Sequence, residues 1–245
     1  MPSPRWRKVL RDLWGNKART VLVVLSIAVG VFAVGMIAGS QVVFSRELNE
    51  SWASVSPADA TLYTDLFDQE MLWTVRNMPE VADADGRRSF GVRFRTSSDG
   101  DDWRNLQLFT YADYDDIRVL KIKPESGAWP PPERGLLIER ASMEWMGVQE
   151  GDVVTVEAPN GKLRELRVAG VVHDVNWMSP SWTGWAAGYV DPEDLEWFGI
   201  SSGFDELNLI VAAEPKDEET ITRVADEVRD RVERSGRSVY GVWVP

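Results

Sequence analysis

Residues 20–45 read TVLVVLSIAVGVFAVGMIAGSQVVFS, 26 consecutive side chains without a charge, held between Arg19 and Arg46. As a helix rising about 1.5 Å per residue, this run reaches roughly 39 Å, more than the roughly 30 Å hydrocarbon core of a bilayer. A transmembrane helix over 20–45 is therefore the reading from which the rest of the chain is placed. Before it, Arg5, Arg7, Lys8, Arg11, Lys17 and Arg19 stand against Asp12 alone, so the first 19 residues carry +5. Positive flanks stay cytoplasmic, which puts the N-terminus inside the cell and the 200 residues after Ser45 outside it. The predicted location is the inner or plasma membrane, crossed once, with the bulk of the chain extracytoplasmic.

A cleaved signal peptide shares the basic start and the apolar middle, and Ala38-Gly39-Ser40 has the small residues of a cleavage site. Signal cores are only about 7–15 residues long, however, and this run is far longer. Residues 1–19 read as a cytoplasmic amphipathic helix. Trp6, Val9, Leu10, Leu13 and Trp14 recur at helical spacing, with basic residues on the other face. Such a helix lies in the inner headgroup layer, with Trp6, Arg11, Trp14 and Arg19 as interface anchors for a retained span. Within that span Ser26 and Gly30, and again Gly35 and Gly39, place small residues one turn apart. That spacing permits close packing on a partner helix, although glycine is common in membrane helices generally.

The 200 residues outside carry 21 basic and 38 acidic side chains, a net of −17. Such a surface repels phosphate backbones, so nucleic acid is excluded as a partner. Cysteine is absent, which removes disulfides and thiolate chemistry, and a single histidine cannot build a multi-histidine metal site. No phosphate-binding loop is present, since Gly161-Lys162 continues into Leu163. The chain is expected to need no cofactor and not to be an enzyme.

Outside the span, residues 59–64 alternate as a strand, and Met71, Leu72, Val75 and Met78 follow at helical spacing until Pro79. Residues 81–95 and 103–111 read as two strands joined by the turn-rich 97–101. Near the end come a strand over 204–213, a helix over 217–234 with acidic residues first, and a strand over 238–244. The order predicts an α+β fold, a split βαβ ferredoxin-like lobe formed by 46–112 and 204–245. Residues 113–203 form an inserted, mostly-β lobe, with strands over 136–139, 153–158, 162–172 and 185–190. A short helix covers 141–146, and Asn160-Gly161 marks a hairpin. Asp191-Pro192-Glu193-Asp194 reads as the start of another helix.

Three features carry candidate chemistry. Trp177, Met178 and Trp182 lie in a loop rich in aromatics around Pro180 and Gly184, suited to an apolar ligand, a lipid tail or a partner protein. The competing role for such rings, and the expected one for Trp185 and Tyr189, is to fill the core of a small β lobe. His173-Asp174 has the composition of a general-base pair but no nucleophile motif beside it, so a satisfied strand-end histidine is expected. The acidic groups around Asp99, Asp113 and Asp217 lack EF-hand spacing and read as solvated loop and helix-start charge.

The run Leu10-Arg11-Asp12-Leu13-Trp14-Gly15-Asn16-Lys17-Ala18-Arg19-Thr20, with Ser26-Ile27-Ala28-Val29-Gly30 beyond it, resembles the N-terminal signature of MacB/FtsX/LolE-type ABC-transporter permeases. Gly135-Leu136-Leu137-Ile138-Glu139, Gly151-Asp152-Val153-Val154-Thr155-Val156 and Val168-Ala169-Gly170-Val171-Val172-His173-Asp174 resemble that family's extracytoplasmic core, a porter-like α/β lobe with a β-rich, Sabre-like lobe. The resemblance implies a permease subunit that works with an ABC ATP-binding subunit and a second permease copy, identical or different. Its exterior lobes would couple ATP-driven helix motion to a substrate or an extracytoplasmic protein. Family members continue with three further membrane helices. This sequence stops at Pro245, about where the second would begin, which implies a truncated chain or a split permease. A single-pass anchored binding or sensor domain without an ATPase is the alternative from another class, and an anchored hydrolase a third.

Overall fold

The computed structural model describes residues 17–18, 21–22, 24–36, 54–97, 100, 102–214 and 216–245. The chain divides into two compact units, Met1–Ser51 and Trp52–Pro245. In the first unit the described residues are helical, and their large apolar side chains, such as Leu22, Val29 and Phe32, are exposed. Among the described residues no helix is long and apolar enough to cross a membrane. Ser26 Oγ donates to the Leu22 carbonyl at 2.9 Å, and a Cβ added to Gly30 or Gly35 would meet open space. Trp6, Arg11, Trp14, Arg19 and Gly39 lie outside the described residues.

The second unit is built on one mixed sheet. Its strands are β1 (Ala60–Phe67), β2 (Val81–Arg95), β3 (Arg104–Tyr111), β4 (Lys123–Gly127), β5 (Gly135–Glu139), β6 (Val153–Glu157), β7 (Leu163–His173), β8 (Trp185–Tyr189), β9 (Phe204–Val211) and β10 (Val239–Trp243). The helices are α1 (Gln69–Arg76), α2 (Arg140–Met146), α3 (Pro180–Thr183), α4 (Leu195–Phe198) and α5 (Glu218–Arg234). Strand order is β10-β1-β9-β2-β3-β8-β5-β7-β4, with β6 joining β2 to β7. Every pairing is antiparallel except β3 with β8 and β5 with β7.

Two of the three buried cores follow directly from this order. In β10-β1-β9-β2 the alternate residues Ala60, Leu62, Ala84, Leu207, Leu209 and Val211 meet one stripe each of α1 and α5. Those stripes, Met71, Leu72 and Val75 on α1 and Val224, Ala225, Val228 and Val232 on α5, obey helical spacing. Both helices start on an aspartate cap: Asp68 accepts from the Met71 N–H at 3.0 Å and Asp217 from the Thr220 N–H at 2.8 Å.

The second core is enclosed by a ring. β2 pairs β3, β3 pairs β8, β8 pairs β5, β5 pairs β7, β7 pairs β6, and β6 returns to the end of β2 at Arg93–Arg95. Closure removes free edges, and a ring this small is filled by side chains. Phe94, Leu106, Leu108, Leu136, Ile138, Val154, Val156, Leu166 and Val168 do the filling, and Met146 of α2 and Phe198 of α4 pack with them. β2 thus serves both cores, with Val81 and Ala84 in the first and Val92 and Phe94 in the second, and the stretch 113–203 supplies β5, β6, β7 and β8 to the ring. Arg104 ties α2 to it, stacking between Phe94 and Trp145 and donating to the Trp145 and Met146 carbonyls at 2.9 and 3.0 Å.

β4 has no counterpart in the sequence reading. All five of its residues are exposed and Pro124 interrupts it, so neither period nor hydrophobicity marks it. Its pairing to β7 requires Gly127 at φ 78°, where an added Cβ would lie 2.3 Å from the Ala169 carbonyl oxygen.

Candidate functional site

The sheet face opposite α1 and α5 bears no helix, and its alternation is polar. One row of paired residues crosses five strands: Gly241, Tyr63, Glu206, Arg87 and Tyr111. Over this face lies a cleft of about 590 Å³, walled by the incoming segment Pro57, Ala58 and Asp59, by the chain end at Trp243 and Pro245, and by Asp174, Asn176 and Trp177.

An ion pair forms the floor. Arg87 Nε and Nη2 donate to Glu206 Oε2 at 2.7 and 2.6 Å, and Ser89 Oγ donates to Glu206 Oε1. Burial, the largest single influence, works against the Arg87 charge, but Glu206 together with the phenols of Tyr111 and Tyr189 outweighs it, and the guanidinium is held above its ordinary value. It also lies 4.6 Å from the Phe109 ring centroid. Burial, and then the Glu206 charge, raise the half-exposed phenol of Tyr63. Replacing Arg87 with Lys keeps the charge but loses the fork and the stacking, an expected cost of about 1–3 kcal/mol. Urea melts of the two proteins would measure it, and an unchanged midpoint would show that the fork contributes nothing.

Behind the floor, Phe109 touches Trp177 edge-on at 5.4 Å and stacks on Tyr189 at 5.6 Å. Tyr189 donates its hydroxyl to Asp174 Oδ2 at 2.5 Å, and Asp174 Oδ1 accepts from the Asn176 N–H at 2.8 Å. Asp174 therefore serves the tyrosine rather than orienting His173. The imidazole instead has Arg140 Nη2 at 3.4 Å from Nε2 and Glu139 Oε1 at 3.8 Å from Nδ1. Among the described residues no group of three or more His, Asp or Glu side chains is arranged to hold a metal. Asp116 pairs with Arg118 and Asp217 caps α5.

Next to the cleft, residues 113–122 grip the incoming segment. The Leu120 N–H donates to the Ser56 carbonyl at 2.9 Å and the Lys121 N–H to the Val55 carbonyl at 2.7 Å. Ser56 and Leu120 both sit at positive φ, 50° and 54°, a conformation ordinary side chains adopt only under constraint. The buried Asp85 carboxylate holds this loop, accepting from the N–H groups of Arg118 and Val119 at 2.5 and 2.7 Å and from Arg76 Nη2 at 2.5 Å.

Of the three residues named for partner contact, Trp177 is built into the cleft wall, while Met178 and Trp182 are 66% and 88% exposed. Tyr189 is fully buried, whereas Trp185, expected in the core, is an exposed side chain that lies over Gly91, about 3.1 Å from an added Cβ. Sequence reasoning passed over Arg87, Glu206 and Asp85. The available signal was two adjacent charge pairs, Arg87-Arg88 in β2 and Asp205-Glu206 in β9.

No family model matches the sequence, and no curated protein matches it. Among solved structures, the fold is similar to the extracellular domain of the noncanonic ABC-type transporter YknZ from Gram-positive bacteria. The TM-score is 0.50 at 13% identity, over 75% of this chain and 100% of that one. It is also similar to the periplasmic region of MacB from Actinobacillus actinomycetemcomitans, with TM-score 0.50 at 12% identity, over 80% of this chain and 92% of that one. At such identities the likeness is one of fold: a sheet-rich α/β domain like the extracytoplasmic domains of MacB- and YknZ-type permeases.

Proposed function

We propose that the chain is the membrane subunit, or a piece of it, of an ABC system of the MacB type. In this reading residues 1–19 lie on the cytoplasmic surface, 20–45 cross the bilayer, and the two lobes stand outside. The lobe of 46–112 and 204–245 is porter-like and ferredoxin-like. The antiparallel order β10-β1-β9-β2 supports this, being the arrangement in which two βαβ halves interleave. The remaining lobe, centred on 113–203, is the β-rich partner. Ser26, Gly30, Gly35 and Gly39 pack on a neighbouring helix, an ATP-binding subunit drives the motion, and the lobes act on a substrate or an extracytoplasmic protein. The role is mechanical rather than catalytic, in keeping with an Asp174 turned away from His173.

The observation that carries the proposal is the fold likeness to two permease extracytoplasmic domains over three quarters or more of the chain, together with the uncharged run at 20–45. The test is topological. In intact spheroplasts, protease is expected to cut near Gly100–Asp102 and to spare Arg5–Arg11. The reverse pattern, or release of the full-length chain by alkaline carbonate, would end the membrane reading. For the energy source, the chain solubilised from its native membranes is expected to bring with it a subunit photolabelled by azido-ATP. Purification without one would favour the anchored binding domain.

A further inference from the structure

We propose that the loop bearing Met178 and Trp182 rests in the outer-leaflet interface of the bilayer, as a second contact between the exterior unit and lipid. The inference rests on the reading that residues 20–45 cross the membrane. Three observations point to lipid.

The first is charge. Residues 175–190 contain no ionisable acid or base apart from the Tyr189 phenol, in an exterior stretch of net −17. A protein partner drawn to this domain by charge would find none here, whereas a zwitterionic headgroup layer meets no repulsion. The second is composition. Met178 and Trp182 stand out at 66% and 88% exposure, and the turn beneath them is fastened by the Trp182 N–H on the Ser179 carbonyl and the Gly184 N–H on the Pro180 carbonyl. Tryptophan favours the headgroup level, where its apolar body and polar N–H are both satisfied. A loop tip that spends this much apolar surface on water, and is held in shape to do so, has a cover elsewhere.

The third is the tether. Eight residues, 46–53, separate Ser45, the end of the apolar run, from Ser54. Fully extended, that stretch spans at most about 31 Å, which limits how far the incoming segment can stand from the outer surface. Trp177 lines the same cleft as Pro57 and Ala58, which sets the root of this loop beside the segment that leads to the membrane.

The chain has no cysteine, so single-site labelling is clean. Trp182→Cys and, as a water-exposed control on α1, Trp73→Cys, which is 67% exposed, replace surface side chains and leave the fold untouched. The full chain carrying bimane at either position is reconstituted in phosphatidylcholine vesicles with a nitroxide near the headgroup of some lipids. Bimane at 182 is expected to be quenched by the lipid nitroxide and to be severalfold less sensitive to aqueous iodide than bimane at 73. Equal iodide sensitivity at the two sites, without lipid quenching, overturns the proposal. So does shielding of 182 from both quenchers, the signature of a protein cover. If instead the vesicles lose the chain in alkaline carbonate, it is the membrane reading that has failed.

Discussion

Alkaline unfolding of the unit Trp52–Pro245 is expected to be steep and to begin near pH 10. Tyr111, Tyr114 and Tyr189 are buried side by side, with ring centroids 5.7 Å apart for the first two and 6.3 Å for Tyr111 and Tyr189. Burial raises all three phenols above their ordinary value, and the neighbouring Asp174 charge adds to this for Tyr189. The sign follows directly. Above pH 10 the unfolded phenols lose their protons and the folded ones keep them, so the unfolded state binds fewer protons. Stability is whole below pH 10 and falls as pH climbs through the raised folded values. With three phenols ionising only on unfolding, the slope is about 4 kcal/mol per pH unit. Phenolate absorbance and far-ultraviolet dichroism, followed together from pH 9 to 12, check it. Absorbance that rises through all five tyrosines while the dichroism stays native would refute the account.

Asp85→Ala is expected to cost about 3–5 kcal/mol, since it breaks a buried ion pair from one side only. Asp85 is 3% exposed, and its carboxylate is the acceptor for two backbone N–H groups and for Arg76. Without it those donors stay buried and unmet, and residues 113–122 lose their hold on the sheet. The same loop grips Val55 and Ser56, so the incoming segment should loosen too. Two readouts apply. The melting midpoint should fall by about 2–4 °C for each kcal/mol in a domain of this size, and trypsin should cut after Arg118 or Lys121. Asp85→Asn, which keeps one carbonyl oxygen, should recover part of the loss. A variant that melts like the parent and resists trypsin would show that the loop is held by something else.

Most of the regular elements were legible because their signals are local. β2 runs over the 81–95 read as a strand ahead of a turn-rich loop, and α5 begins after Asp217 and ends before Gly236 as its caps require. The Asn160-Gly161 turn joins β6 to β7, with Gly161 at φ 75°. β4 escaped because an exposed edge strand containing proline carries no pattern of its own. The cleft escaped for another reason: Arg87 and Glu206 are 119 positions apart, and no spacing rule connects them.

From the sequence alone came the uncharged run at 20–45, the acidic balance of the 200 residues after it, and two βαβ halves set apart by a β-rich stretch. Each is written in the order of side chains over at most a few turns. Tertiary structure decided that β2 and β3 close the ring begun by 113–203, and that Arg87, Glu206 and Asp174 meet on one face. Those outcomes depend on which strand edges and faces remain to be covered once the chain has collapsed. A hydrophobic period of two says that a face is buried, but only the packed sheet says against what.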